Sequence, residues 1–548
     1  VATSALFYST CITSSNEIHL FIFKQSAEFF LKYTQKIYAA KSGGNHCHAL
    51  YLSNPEKFVK IIAFFPKIVK LNLYLENDLR RTFNIMRKEF DTVGSKMIPD
   101  DAYYGINTAR ARENFPIPCL PNDPELLKNY LKIKEAAALA NKAAGRWSDD
   151  KVPDAIVKAC HDIADHFEDY EEEFRLPAIQ GGAGTSTNLN VDEVIANRAI
   201  ELLGGKKGDY KLVDPADDVN KAQSTNDTFP TAGHLTIIYY TNKLIAQLEE
   251  DIETLKGLSE KYHDALKVGR TQLEDAVPTT FGRSFHAYVS MFSRDVKRLK
   301  QAVNDLMVIP MGGTAIGTAL NTNPEYLRQI VPQLSKVTGL PLKQADDLID
   351  GIQNSDLFVE ASSAYRALAV NLSKMSHDLR LLNSGPQSGF HEINLPRKQA
   401  GSSIMPHKVN PVIPEVCNQV CFQVIGHATT VTMCAERGQL ELNAWEPVSF
   451  MDLFEDAKML TAALKTLNDN ALKGLTVNVE RCQEMVEHSS QAATALSPAI
   501  GYVRVNELIQ ESFDTGKSIR ELAVGKDLSA EEFDKLMSPS NFFVSKND

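Results

Sequence analysis

From Phe285 onward the apolar residues fall at Phe285, Val289, Phe292, Val296, Leu299, Val303 and Leu306, four and three apart in alternation. That spacing predicts a long helix with one narrow apolar seam. A second run carries Ile238, Ile245, Leu248, Ile252 and Leu255, and is expected to begin after Pro230. A third carries Ala361, Ala364, Leu368, Leu372, Met375, Leu379 and Leu382 and runs into Asn383-Ser-Gly-Pro386, where a glycine able to take a left-handed cap precedes a proline that cannot continue a helix. Three helices of roughly 25 to 30 residues predict a bundle, and seams on long helices bury themselves on one another or on other subunits. No stretch of the body shows the period-2 alternation of strands separated by turn dipeptides. The expected class is therefore all-α.

The first 85 residues break this pattern. They are rich in Phe, Lys, Ile, Tyr and Asn and carry a net charge of about +5, against -11 for the whole chain. No methionine occurs before Met86, which directly precedes the body. Residues 1–85 are read as an atypical extension and Met86 as the authentic start. They lack the compact apolar region and small-residue cleavage site of a secretory signal, and the acid-poor, arginine-rich character of an organellar transit peptide. The rest is expected to divide into an N-terminal domain (86–226), a central bundle (227–479) and a small C-terminal helical domain (480–548).

Charge and cysteine usage narrow the function. A pI near 5.7 gives no basic footprint for nucleic acid or an anionic membrane surface. The most apolar window, Phe58 to Tyr74, is interrupted by Lys60, Pro66, Lys67 and Lys70, too soon to span a bilayer. Eight scattered cysteines, with no C-x-x-C pair, read as reduced thiols in a cytoplasmic protein, with no metal and no cofactor. Cys417 and Cys421, one helical turn apart, read as small apolar packing residues.

Four polar, glycine-punctuated loops hold the chemistry. Gln180-Gly-Gly-Ala-Gly-Thr-Ser-Thr-Asn188 can fold closely and present N–H groups together with the Thr185 and Ser186 hydroxyls, or can simply cap a helix beginning near Val191. In Asn220-Lys-Ala-Gln-Ser-Thr-Asn-Asp-Thr-Phe-Pro230, the five hydrogen-bonding side chains from Gln223 through Ser224, Thr225 and Asn226 to Asp227 exceed what capping needs and suit a carboxylate or an amine. Lys267-Val-Gly-Arg-Thr-Gln272 offers Thr271 and Gln272 in the break between the first two bundle helices. Ala400-Gly-Ser-Ser-Ile-Met-Pro-His-Lys-Val-Asn-Pro411 offers Ser402, Ser403, Lys408 and Asn410, interleaved with apolar Ile404, Met405 and Val409 in a way a plain surface loop does not require.

The Gly401-Ser-Ser-Ile-Met-Pro-x-Lys-Val-Asn-Pro411 string resembles the signature of the aspartase/fumarase superfamily, and the other three loops resemble that family's active-site segments in the same order, from about Phe90 to about Asn541. The resemblance implies a three-domain fold around a long-helix bundle, and elimination from a succinyl-type substrate to give fumarate. Within the family, three features look like the aspartase branch: Asp101-Ala-Tyr-Tyr-Gly105, Gln272 in place of the fumarase histidine, and Glu446 in Gly438-Gln-Leu-Glu-Leu-Asn-Ala-Trp-Glu-Pro447 in place of the fumarase lysine. A hydroxide leaving group needs an acid, whereas an ammonium is already a competent leaving group. The implied reaction is L-aspartate to fumarate and ammonium; the alternatives are a class II fumarase or a catalytically silent structural relative.

The resemblance makes Ser402 the base and Lys408 its cation. It places Thr185, Ser224, Thr225 and Ser403 on the β-carboxylate, Lys408, Asn410 and Thr271 on the α-carboxylate, and Asn226 with Thr271 on the amine, with Ser186 and Gln272 lining the same site. Asp218 stands where the family usually has histidine, and His407 replaces a small residue. A helix of 28 residues is about 42 Å long, too long for one chain to gather loops from both ends, and the family builds each site from three subunits of a homotetramer.

Overall fold

The computed structural model describes residues 86–538; the readings made for residues 1–85 lie outside the described residues. The body opens with a hairpin, β1 (Met86–Asp91) against β2 (Gly94–Pro99), followed by α1 (Ile106–Asn114). Next come α2 (Pro124–Ala143), α3 (Lys151–Asp165) and α4 (Thr185–Leu202). Helix α2 starts where Asp123 accepts a hydrogen bond from the Glu125 N–H and Pro124 supplies a first-turn residue that needs no donor.

The bundle is built from five long helices: α5 (Thr225–Lys261), α6 (Phe281–Asp305), α7 (Asp356–Leu382), α8 (Val412–Glu436) and α9 (Glu446–Asn470). Helix α5 packs on α6 and α9, α6 on α7, α7 on α8 and α8 on α9, which closes a ring. The seam read from the sequence is the buried face of α6: Phe285, Val289, Phe292, Val296 and Leu299 are all buried, and Leu306 just beyond it as well. The core from Leu126 to Cys482 is continuous, while Ala493, Leu496, Val505, Leu508, Ile519, Leu522, Ala523 and Phe533 form a second small one near the C-terminus.

Three local expectations change. Helix α5 begins at Thr225 and carries Pro230 inside it. The Ser224 side chain and Asp227 form a reciprocal capping box that sets the start upstream, and the proline then removes only its own N–H from an early turn. The cap of α7 is Asn383, with φ near -83°, not a left-handed glycine; Gly385, at φ 118°, turns the chain two residues later. Four small two-stranded ladders also occur among the described residues. The largest beyond β1–β2 is β3 (Leu266–Thr271) against β4 (Glu274–Thr280), whose two-residue turn holds Gln272 and Leu273 both at positive φ, 55° and 67°. Neither turn residue is Gly, Asn or Asp and the strands do not alternate cleanly, so the chain carries no ordinary hairpin signal there.

Helix direction sorts the loops between the two ends of the bundle. The Leu306 carbonyl, just past the end of α6, lies 2.9 Å from His234 Nδ1 on α5, and the rings of Phe229, Phe358 and Phe450 meet at 4.9 to 5.2 Å. The starts of α5, α7 and α9 and the end of α6 therefore share one end. At the other end the Val477 N–H donates to the Tyr262 hydroxyl at 3.3 Å, and Arg270 meets Glu392.

Helices α5 and α9 approach closely because residue 233 is glycine: a Cβ there would lie 2.1 Å from the Phe450 ring. That ring is 1% exposed and is held by Phe229, Phe358 and Phe454, so it cannot swing aside. Gly233→Ala is expected to destabilise the fold by about 1–3 kcal/mol through overpacking, despite alanine's better helix propensity. Urea denaturation checks it; unchanged or raised stability would contradict this packing.

Candidate active site

The first two motif loops meet at the end of the bundle where α5 begins. Gly184, at φ 85°, caps α4, and a Cβ there would fall 2.4 Å from the Phe229 ring, so both conformation and space require glycine. Helix α4 begins at Thr185, not near Val191. Its early turns bury Asn188, Asn190, Asp192 and Glu193, and this polar face hides the helical period from a hydrophobicity reading. Thr185 is exposed and Ser186 half-buried in the first turn. Gln180 braces the loop, its Oε1 accepting from the Thr187 N–H at 3.2 Å and hydroxyl at 3.0 Å.

Behind these loops sits a residue that sequence reasoning missed. Lys134 on α2 is fully buried, and its Nζ donates to Asn188 Oδ1 at 2.7 Å and Asn220 Oδ1 at 2.9 Å while pairing with Asp192 Oδ1 at 2.8 Å. Asn188 closes the first motif and Asn220 opens the second, so one ammonium ties the two loops together. Burial pushes the Asp192 carboxyl up to about 6 against the pull of Lys134. The available signal was a lysine in phase with the buried, alanine-rich face of its helix.

The second loop is pinned in the same manner. The buried Asp227 carboxylate accepts from the backbone N–H groups of Ser224 at 2.9 Å, Gly312 at 3.2 Å and Thr314 at 3.0 Å, and burial still lifts it to about 6. Ser224 is the N-cap and Thr225, 7% exposed, the first residue of α5. The Asn226 amide nitrogen donates to Ala315 O at 2.7 Å, and its Oδ1 accepts from no described residue. Asp218 is used for structure, its carboxylate accepting from Trp147 Nε1 at 2.9 Å and the Asp214 N–H at 3.0 Å.

The other two motifs lie at the opposite end. Thr271 and Gln272 are exposed at the tip of the β3–β4 hairpin. Its base is held by Glu392, 1% exposed, whose carboxylate meets Arg270 Nη2 at 2.5 Å and Lys267 Nζ at 3.7 Å, while Arg270 also covers the Phe390 ring at 4.3 Å. The Ser402 loop closes on itself: the Gly401 N–H donates to Lys408 O at 2.8 Å and Asn410 Nδ2 to Gly401 O at 3.1 Å. Within it Ser402 Oγ accepts from the Ile404 and Met405 N–H groups at 3.2 and 2.9 Å. Ser402, Ser403 and Lys408 line one cavity of about 460 Å³; Ser403 and Lys408 are exposed, Ser402 and Asn410 half-buried. His407 adopts φ 63°, and its carbonyl accepts from Arg397.

One chain thus gathers the eleven singled-out residues into two groups. Thr185, Ser186, Ser224, Thr225 and Asn226 sit at one end; Thr271, Gln272, Ser402, Ser403, Lys408 and Asn410 sit at the other. Helix α5, 37 residues and so about 55 Å long, lies between them. Among the described residues no group of three or more His, Cys, Asp or Glu is placed to hold a metal ion, and the six described cysteines are free.

Glycine-ordered loops, a serine receiving two backbone N–H groups, and a lysine and asparagine on the serine's loop make up the candidate site. Residues 94–426 match the family model described as lyase, and residues 493–543 match the fumarase C C-terminus. The chain is 44% identical to an aspartate ammonia-lyase of a Bacillus species, covering 83% of this chain and 97% of that one. It is 45% identical to the aspartate ammonia-lyase of Pseudomonas aeruginosa, over 80% and 92%. Among solved structures, a fumarate lyase from Brucella melitensis bound to cobalt superimposes with a TM-score of 0.81 at 42% identity, covering 84% of this chain and all of that one. A class II fumarase from Schistosoma mansoni gives 0.78 at 34% identity, over 83% and 98%. The chain belongs to the aspartase/fumarase superfamily of lyases. It is a carbon–nitrogen lyase with that superfamily's helical-bundle fold.

Removing the Lys134 ammonium leaves Asp192 and two asparagine carbonyls without their buried cation. Lys134→Met is expected to cost about 3–5 kcal/mol, and pairing it with Asp192→Leu to recover most of that loss. Chemical denaturation of the single and double variants checks this; equal losses in both would refute the charge-pair account.

Proposed function

We propose that the chain deaminates L-aspartate reversibly to fumarate and ammonium, with Ser402 as the base. The observation that carries this reading is Ser402 Oγ accepting two backbone N–H groups on a loop it shares with Lys408. A free serine hydroxyl is far too weak an acid to serve as an alkoxide near neutral pH, and two fixed donors with a nearby cation favour the charged form. The relatives named aspartate ammonia-lyase and the non-acidic Gln272 support aspartate as substrate.

In this mechanism Ser402 takes the proton from Cβ, and the electron pair moves into the β-carboxylate to give an enolate-like dianion. Donors from Thr185, Ser224, Thr225 and Ser403 strengthen on that carboxylate as charge builds, which is where fixed dipoles accelerate most. Lys408, Asn410 and Thr271 hold the α-carboxylate. The pair then returns to form the double bond, the Cα–N bond breaks, and the departing ammonia ends as ammonium with the proton first taken from Cβ. Asn226 Oδ1, an acceptor with no partner among the described residues, suits the amine.

The two groups of residues stand about 55 Å apart in one chain, so the reading requires partner copies packed with their bundles reversed. A homotetramer whose sites each draw on three subunits satisfies this. Ile404, 84% exposed beside Ser402, supports cover from a neighbour.

Purified protein with L-aspartate is expected to form fumarate and ammonium in equal amounts, and to form no fumarate from L-malate; the reverse pattern identifies a fumarase. Lys408→Ala is expected to lower kcat and raise KM together, with kcat/KM down about 10- to 150-fold for a lost charge-assisted bond, and near-normal kinetics would remove Lys408 from the site. Ser402→Ala and Asn226→Ala are each expected to be inactive, yet to regain turnover when dissociated, mixed and reassembled. An active monomer by sedimentation would overturn the shared site.

A further inference from the structure

Glu446 opens α9 at the same end of the bundle as Thr225 and Asn226. It is 5% exposed and makes no hydrogen bond or ion pair with any described residue. The other buried acids at this end are accounted for: Asp192 is paired with Lys134, and Asp227 accepts three backbone N–H groups. Isolated in this way, the Glu446 carboxyl is held well above the usual carboxylate range by burial. A buried acid with no partner is costly to charge, and becomes an anion readily only when a cation arrives.

The packing register says where it points. Thr225 and Phe229 are one turn apart on α5, and Glu446 and Phe450 one turn apart on α9, so each pair shares a face. The Phe229 and Phe450 rings touch at 5.2 Å. Both helices start at this end, so Thr225 and Glu446 occupy the turn just above that ring contact. Helical side chains lean toward the N-terminus, which aims Glu446 out of α9 toward the loop carrying Ser224, Thr225 and Asn226.

We propose that Glu446 is a specificity-determining residue that receives the positive charge of the substrate amine and of incoming ammonium. The inference rests on the aspartate reading. L-Aspartate brings two carboxylates, which the hydroxyls and Lys408 answer, and one ammonium. Asn226 Oδ1 supplies a neutral acceptor for that ammonium, and Glu446 supplies the matching charge. Fumarate has no cation to offer and gains nothing from this carboxylate.

The test is the amination reaction, with ammonium and fumarate varied separately in the intact oligomer. Glu446→Gln, the isosteric uncharged form, is expected to raise KM for ammonium about tenfold or more while changing KM for fumarate less than about twofold, the loss of one charge-assisted contact. Glu446→Asp, shorter but still acidic, should fall between; if the Gln variant does not fold, judged by circular dichroism, the Asp variant must show the same split on a smaller scale. An unchanged ammonium KM, or parallel rises for both substrates, overturns the inference while leaving the aspartate reading intact. A wild-type enzyme inert toward L-aspartate overturns that reading, and the inference with it.

Discussion

The length and stiffness of the long helices govern this molecule. A 37-residue helix keeps its two ends about 55 Å apart, and the other four bundle helices alternate in direction along the chain so that every loop is delivered to one end or the other. The residues singled out for the chemistry are consequently split between two ends. Under the proposed reading, that geometry calls for sites shared between copies of the chain. In that reading the Ser402 loop and the Thr185–Asn226 cradle are halves of one site.

Both ends use a buried charge to fix loops that would otherwise be mobile. At one end Lys134 gathers Asn188, Asn220 and Asp192; at the other Glu392 gathers Arg270 and Lys267. Breaking such a pair strands a charge in a medium that solvates it poorly, so each cluster holds its loops in one arrangement. Asp227 plays the same part with backbone N–H groups alone. Glu446 differs, because no described group in its own chain answers it. Preorganised donors on the loops and a buried acid unanswered within its own chain are what the proposed aspartate reading draws on.

The bundle was legible in the sequence because its seams obey a simple period. The Phe285–Leu306 run could be read directly, since the helix contributes one apolar stripe and leaves the rest to water. The start of α4 was not, because its buried face is polar and satisfied by Lys134 and by Glu193's contacts with Thr108 and nearby backbone N–H groups. The start of α5 was misplaced because proline usually marks a boundary, and here the Ser224–Asp227 capping box outweighs it. The β3–β4 turn was missed because Gln272 and Leu273 adopt positive φ without the residues that ordinarily favour it.

By itself the sequence singled out the polar, glycine-punctuated loops and the residue types they carry, since the motifs are local and side-chain character survives without coordinates. It also determined the helical class, through periodicity. Tertiary structure alone decided that Lys134 joins two of those loops, that the singled-out residues divide between opposite ends, and that Glu446 is buried at the end where α5 begins, with no partner among the described residues. These are relations between segments distant along the chain, set by helix length, ring packing and buried charge, and no local pattern of residues encodes them.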